Sequence, residues 1–288
     1  MRASWGRLGN ENALGYYDFL ALISTYNTKY QGYVKGNGDN AWAGSIARGL
    51  ENRSLKWETT DTKNIGLDFG FFNNKLTGAM NYYYNQTEEL LITKALPPSA
   101  GLNNPILNVG KIRNSGVEVE INWADSKGGF DYNIGMNFST TKNKVVELAD
   151  KGQVLYGEGL KYGTEHFPTQ TRVGKPIGAF YLYKTNGLFQ SNEEARQYVN
   201  ADGDEYQPFA DAGDIRYVDV NGDGYIDDDD KVYCGSGIPT LEVNLNFSAG
   251  YKGFDLSVVL GSAWGHKIYN GNKYFYDCLL YTSPSPRD

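Results

Sequence analysis

This sequence predicts an all-β fold: an antiparallel, up-and-down sheet of several strands. Three observations predict it. Segments along the chain alternate strictly between apolar and polar residues. Short turns join these segments in pairs, while the connections between pairs are long. The composition is rich in Tyr (23) and Gly (35) and contains two Cys, which suits extended β structure.

The elements follow in order. Arg2–Leu8 opens as a strand. From Asn64 to Phe72, Ile65, Leu67, Phe69 and Phe71 are apolar, while Asn64, Gly66, Asp68 and Gly70 are polar or small. A period of two is a strand with one greasy and one wet face. Asn73-Asn74 reads as a two-residue hairpin turn into Lys75–Tyr84. Val117, Val119, Ile121 and Trp123 alternate with Glu118, Glu120 and Asn122. After Ser126-Lys127-Gly128-Gly129, Phe130, Tyr132, Ile134, Met136 and Phe138 alternate with Asp131, Asn133, Gly135, Asn137 and Ser139. Leu241, Val243, Leu245 and Phe247 alternate with Glu242, Asn244, Asn246 and Ser248. Beyond Lys252-Gly253 come Phe254, Leu256, Val258 and Leu260, with Asp255 and Ser257 between the first three.

The connections run from roughly residue 9 to 58, 92 to 109 and 148 to 237, longer than compact soluble domains favour. Short turns at one end and long loops at the other fit a transmembrane β-barrel. Its apolar face would meet lipid. Its polar face, with Glu118, Glu120, Asp131 and Glu242, would line a wet lumen. Trp57, Phe71, Phe72, Tyr82, Tyr84, Trp123, Tyr251 and Trp264 near strand ends suit interfacial girdles or ordinary caps. No run approaches the ~20 apolar residues of a membrane helix. A mean hydropathy of -0.52 is compatible with a barrel, whose strands are apolar only at alternate positions. Alternation alone also marks any half-buried antiparallel sheet, so a soluble sandwich or sugar-binding β module stays open.

The chemistry is sparse. A net charge of -7 with no basic patch argues against nucleic-acid binding. There is no nucleophile elbow, phosphate loop or metal-hydrolase helix, and no enzyme activity is expected. His166 and His266 stand alone. Glu88 and Glu89 are adjacent, so in a strand they point to opposite faces and cannot flank one bond. Cys234 and Cys278 form no CxxC motif, though one disulfide between them is conceivable in an oxidising compartment. Met1–Gly6 lacks the apolar core of a secretory signal, so the expected true start lies upstream.

One motif carries chemistry. Asp219-Val220-Asn221-Gly222-Asp223-Gly224-Tyr225-Ile226-Asp227-Asp228-Asp229-Asp230 has calcium-loop spacing. Oxygen ligands would come from Asp219, Asn221, Asp223, Asp227 and Asp230, with the Tyr225 carbonyl at the seventh position and Gly224 at the sharp turn. Asp rather than Glu at the last position shortens the bidentate arm. No helical pattern flanks the loop, so it is not an EF-hand domain. A bound Ca2+ would stiffen a long loop. The bland reading is a solvated acidic turn.

Several segments, in order, resemble the SusC/RagA family of TonB-linked outer-membrane proteins. They are Gly9–Asn12, Leu55–Thr60 continuing through Asn64–Asp68, Phe71–Gly78 with Tyr82–Tyr84, and Val109–Glu118. Gly174–Tyr181 with Gly187–Gln190, and Gly213–Tyr217 with Asp219–Gly224, complete the series. The resemblance implies a partial barrel, residues 1–277, drawn from a plugged barrel of about 22 strands. It implies short periplasmic turns and long extracellular loops in the outer membrane of a Gram-negative bacterium. It implies a SusD-like surface lipoprotein as partner, the TonB complex reached through an N-terminal region missing here, and oligosaccharide or peptide cargo. The chain departs from the family pattern in lacking the plug and an aromatic-ended last strand. Residues 278–288 read as a non-native tail of sequencing or assembly origin. The fragment alone is expected to be incompetent for transport. The alternatives are a soluble calcium-stabilised carbohydrate-binding β module and a secreted β-rich glycan hydrolase.

Overall fold

The computed structural model describes residues 1–271 except 12–13, 27–31, 35–40, 48, 95, 97, 151, 158–159 and 163. Asn12, Cys278 and the segment 278–288 lie outside the described residues, as does the side chain of His166. The chain divides into two compact units: residues 1–153 with 241–263, and residues 154–240 with 264–288.

The first unit is a meander. The strands of its main sheet are β1 (Arg2–Asn10), β2 (Glu58–Phe71), β3 (Leu76–Glu88), β4 (Lys111–Lys127), β5 (Phe130–Thr140), β6 (Lys142–Glu147), β7 (Leu241–Tyr251) and β8 (Phe254–Trp264). The sheet order is β1-β2-β3-β4-β5-β7-β8, with β6 paired to β4. All of its registered pairings are antiparallel. β6 continues β5 along the same partner: Ser139 lies opposite Glu118 and Lys142 opposite Ser115, so the register does not slip across Thr140-Thr141.

The strands are longer than the alternation suggested. β4 runs for 17 residues, because its polar N-terminal half pairs as well as its apolar half. Backbone ladders do not require apolar side chains, so hydropathy under-reads strand ends. The β2–β3 turn also differs from the two-residue expectation. Phe71 is the last paired residue, and Phe72-Asn73-Asn74-Lys75 makes the turn, with Phe72, Asn73 and Asn74 all at positive φ. The other two turns are tight. Gly128-Gly129 and Lys252-Gly253 have both residues at positive φ, the twist that suits a two-residue hairpin. All three short turns fall at one end of the meander, and the three long connections at the other.

The second unit is not structureless loop. Leu155–Tyr156, Thr169–Thr171, Ala179–Tyr183 and Lys231–Gly235 form a four-stranded sheet, and Thr185–Leu188 pairs with Ile215–Tyr217. Helix α1 (Asn192–Gln197) starts at Ser191, whose hydroxyl accepts from Glu194 N at 3.2 Å. Phe189, Ala195 and Ala210 are buried against Tyr198. This small core explains how so long a connection keeps its order.

Candidate functional site

The register gathers the alternating residues into rows. Leu67, Met80, Val119, Phe138 and Val243 lie side by side across five strands. Phe69, Gly78, Ile121, Met136 and Leu245 form the neighbouring row, then Phe71, Leu76, Trp123, Ile134 and Phe247. This apolar face is open. Leu67 is 52% exposed and Phe254 82%. None of Leu67, Phe69, Val119 and Ile121 is buried. Among the described residues of this unit, only Val145 and Leu148 are buried apolar side chains. A soluble sandwich would cover these rows with a second layer, so that expectation is not met.

Aromatic residues mark both margins of the face. At the short-turn end, Phe72 lies 6.0 Å from Trp123, and Phe130 lies 5.7 Å from Tyr132 and 6.3 Å from Tyr251. Trp123 Nε1 donates to the Tyr132 hydroxyl at 3.2 Å. At the long-loop end, Tyr82 lies opposite Ile65, while Trp5 and Tyr84 flank Lys63. From Ser115, opposite Tyr84, to Asp125, opposite Tyr132, β4 covers about 33 Å at ~3.3 Å per residue. At a strand tilt of ~40° this is about 25 Å along the membrane normal, the height of a barrel's apolar band.

The opposite face is polar. Gly66, Asn81, Glu118, Ser139 and Glu242 form one row, and Asp68, Ala79, Glu120, Asn137 and Asn244 the next. Ser139 stands between Glu118 and Glu242, which sequence reasoning could not bring together. Asp131 lies further along, opposite Ser126 and Gly250. Arg2 also reaches this face, within 2.9 Å of Asp68 Oδ1 and 3.0 Å of Asn81 Oδ1. It passes over Gly66, where a Cβ would meet Asn81 Oδ1 at 2.4 Å. Gly66 within a strand was the available signal, since a strand glycine often marks a close approach.

The acidic loop is folded around its own backbone. Asp219 accepts from Gly222 N at 2.6 Å and Gly224 N at 2.9 Å. Burial raises its pKa, but these N–H donors outweigh that effect, and the carboxyl titrates below the usual value. Gly224 has φ +92, as the sharp turn requires. Asn221 Oδ1 accepts from Asp223 N, and Asp223 Oδ1 from Tyr225 N, both at 2.9 Å. Asp227 caps the 3-10 turn Asp228–Asp230 by accepting from Asp229 N at 2.9 Å. Asp230 is fully buried and accepts from Val220 N, Asn221 N and Asp227 N at 2.7, 3.3 and 2.9 Å. Asp228 pairs with the buried Lys231 at 2.7 Å and accepts from the Tyr183 hydroxyl at 3.1 Å. Burial first, then Asp228, pushes Tyr183 up. Among the described residues, no three His, Cys, Asp or Glu side chains converge as a metal-ligand set. The predicted ligands are thus contiguous and ordered, with oxygens turned to backbone N–H groups.

An antiparallel wall that is apolar and open on one face, edged by aromatics at both margins, and polar on the other defines the wall of a membrane-spanning β-barrel. The chain belongs to the family described as TonB dependent receptor-like, beta-barrel, whose match spans residues 2–277. It is 30% identical over 270 residues to TonB-dependent receptor P3 of Formosa agariphila, covering 93% of this chain and 26% of that protein. It is 27% identical over 275 residues to TonB-dependent receptor SusC of Bacteroides thetaiotaomicron, covering 93% of this chain and 25% of that one. The RagAB peptide transporter shares the fold at a TM-score of 0.69 and 22% identity, over 95% of this chain and 27% of that one. The chain thus spans about a quarter of the length of these relatives.

Proposed function

We propose that this chain supplies part of the barrel wall of a TonB-dependent importer of the SusC type, taking up oligosaccharides or other large nutrients. TonB-dependent receptor barrels are outer-membrane transporters of Gram-negative bacteria, and family membership carries that class to this chain. The observation that supports the reading best is the open apolar face with aromatic margins, a surface that suits contact with lipid. The polar rows then line the lumen. The long-loop end faces outward from the cell, where a SusD-like surface lipoprotein would meet it. The TonB complex would act through segments outside this chain. For cargo, the resemblance to SusC/RagA importers supports oligosaccharide or peptide, and the solved neighbour is named a peptide transporter. The test is outer-membrane fractionation with heat-modified gel mobility, followed by uptake of labelled oligosaccharides and peptides with and without the gene. Recovery as a soluble protein with heat-insensitive mobility would sink the reading.

We also propose that the 219–230 loop takes up a divalent cation, calcium by its all-oxygen donors. The supporting observation is the curl of residues 219–224 about Asp219, with Gly224 at the sharp turn. Asp223 and Asp227 would have to turn inward to complete the set. Calcium should slow proteolysis between residues 205 and 235, and Asp219→Ala with Asp223→Ala should abolish that protection. No effect of calcium on the unmutated protein would refute the site.

A further inference from the structure

At the aromatic margin of the long-loop end, and in the row beyond it, the lipid-side face changes character. Trp5, Lys63, Tyr84, Ser115 and Lys142 share one row. Arg7, Asp61, Gln86, Arg113 and Lys144 share the next. The carboxylates here are spoken for. Arg7 grips Asp61 through two bonds of 2.8 and 2.6 Å, and Lys111 holds Glu88 at 2.9 Å. Glu147 stands opposite Lys111, at the far end of β6.

Lys63, Arg113, Lys142 and Lys144 have no carboxylate within ion-pair distance among the described residues. Lys63 and Arg113 lie against the Tyr84 ring, 5.9 and 5.1 Å from its centroid. Arg113 also donates to Gln86 Oε1 at 3.2 Å. Lys142 and Lys144 are exposed. Arg113 and Lys144 are directly opposite, about 5 Å apart at the backbone, and Lys142 is about 7 Å along the same face. Three cations this close along one face set up a local positive field that favours an anionic group. This local excess sits in a chain of net charge -7, so it is not the average surface.

We propose that Arg113, Lys142 and Lys144, with Lys63, two strands from Arg113, reaching the same Tyr84 ring, bind the phosphate-bearing headgroup of a membrane lipid. The inference rests on the barrel reading. A lipid rather than a free ion is favoured because the cluster continues directly into the apolar row of Ile65, Tyr82 and Val117, where acyl chains would lie. Basic side chains at a membrane margin attract anionic headgroups, while their apolar stems stay on the greasy surface.

The test uses the transporter that carries this wall, purified in non-ionic detergent. Short-chain phosphatidic acid, the matching neutral diacylglycerol and inorganic phosphate are titrated in turn, with bound species read by native mass spectrometry. Phosphatidic acid should bind about tenfold tighter than the neutral lipid. The Lys142→Gln, Lys144→Gln double variant should lose that preference, and the Lys→Arg double variant should keep it. Equal binding of both lipids, or an unchanged preference in the Gln variant, overturns the proposal. Displacement of the lipid by inorganic phosphate at matching concentration also overturns it, in favour of a simple anion site. Heat-modified mobility of the same samples separates the two levels. An unfolded wild type rejects the barrel reading, whereas a folded barrel with no headgroup preference rejects only this inference.

Discussion

At the scale of single residues, close approaches decide which glycines matter. Gly116 sits opposite Tyr83, whose hydroxyl donates to Thr140 O at 3.1 Å. A Cβ on Gly116 would lie 1.8 Å from that same carbonyl oxygen, and the backbone cannot yield as a side-chain tip can. Gly116→Ala should therefore destabilise the wall by about 1–3 kcal/mol, read as a lowered urea midpoint for heat-modified mobility. Gly66→Ala should cost less, because there a Cβ meets the mobile ends of Asn81 and Arg2. In the acidic loop, Asp230→Ala would strip an acceptor from three backbone N–H groups. About 2–3 kcal/mol of local stability should be lost, seen as faster proteolysis between 215 and 235 with the barrel intact. Asp219 gives the loop a pH dependence of known sign. Its carboxyl is held below the usual value, so its contribution is complete above the unfolded pKa of about 3.9 and fades as pH falls through the lower folded value. Pepsin cleavage of the loop, normalised to Asp219→Asn, should rise as pH drops below about 4. A flat ratio would remove Asp219 from the account.

Strands carry their chemistry by face, and that gives a paired prediction. Leu67 lies in the middle of the apolar band, and Glu118 is in a polar row only two strands away. Leu67→Arg should destabilise the folded wall in lipid vesicles by about 2–4 kcal/mol, as charges at a barrel midplane do. Glu118→Arg should change stability by only about 0.5 kcal/mol. Equal costs for the two would mean that the faces have been assigned wrongly. The alternation that identified these strands was legible over their apolar halves. It was silent where both faces become polar, and so β3 and β4 prove longer than hydropathy suggested.

The whole molecule is asymmetric from end to end. Short turns of two or four residues close one end of the meander, whereas at the other end the connection from β6 to β7 runs through about ninety residues. In intact cells, an impermeant thiol reagent should modify a cysteine placed at Asp202 and spare one placed at Gly128, with Cys234 removed. Labelling of both, or of Gly128 alone, would invert or abolish the proposed topology.

Period-two alternation, tight Gly-containing turns and the spacing of acidic residues are local properties, so the sequence by itself determined the all-β class, the hairpins, the one-sided long connections and the contiguous oxygen donors of the 219–230 loop. Each depends on residues within a few positions of one another. Register is not local. Glu118, Ser139 and Glu242 become neighbours, and Arg113 faces Lys144, only because backbone ladders align strands far apart in sequence. The loop carboxylates are turned by backbone of their own loop: Asp230 accepts from Val220 N, Asn221 N and Asp227 N, 10, 9 and 3 residues away, a curl that residue spacing alone does not specify. Which face is open and which groups stand together were decided by long-range pairing, which a reading of neighbours along the chain does not contain.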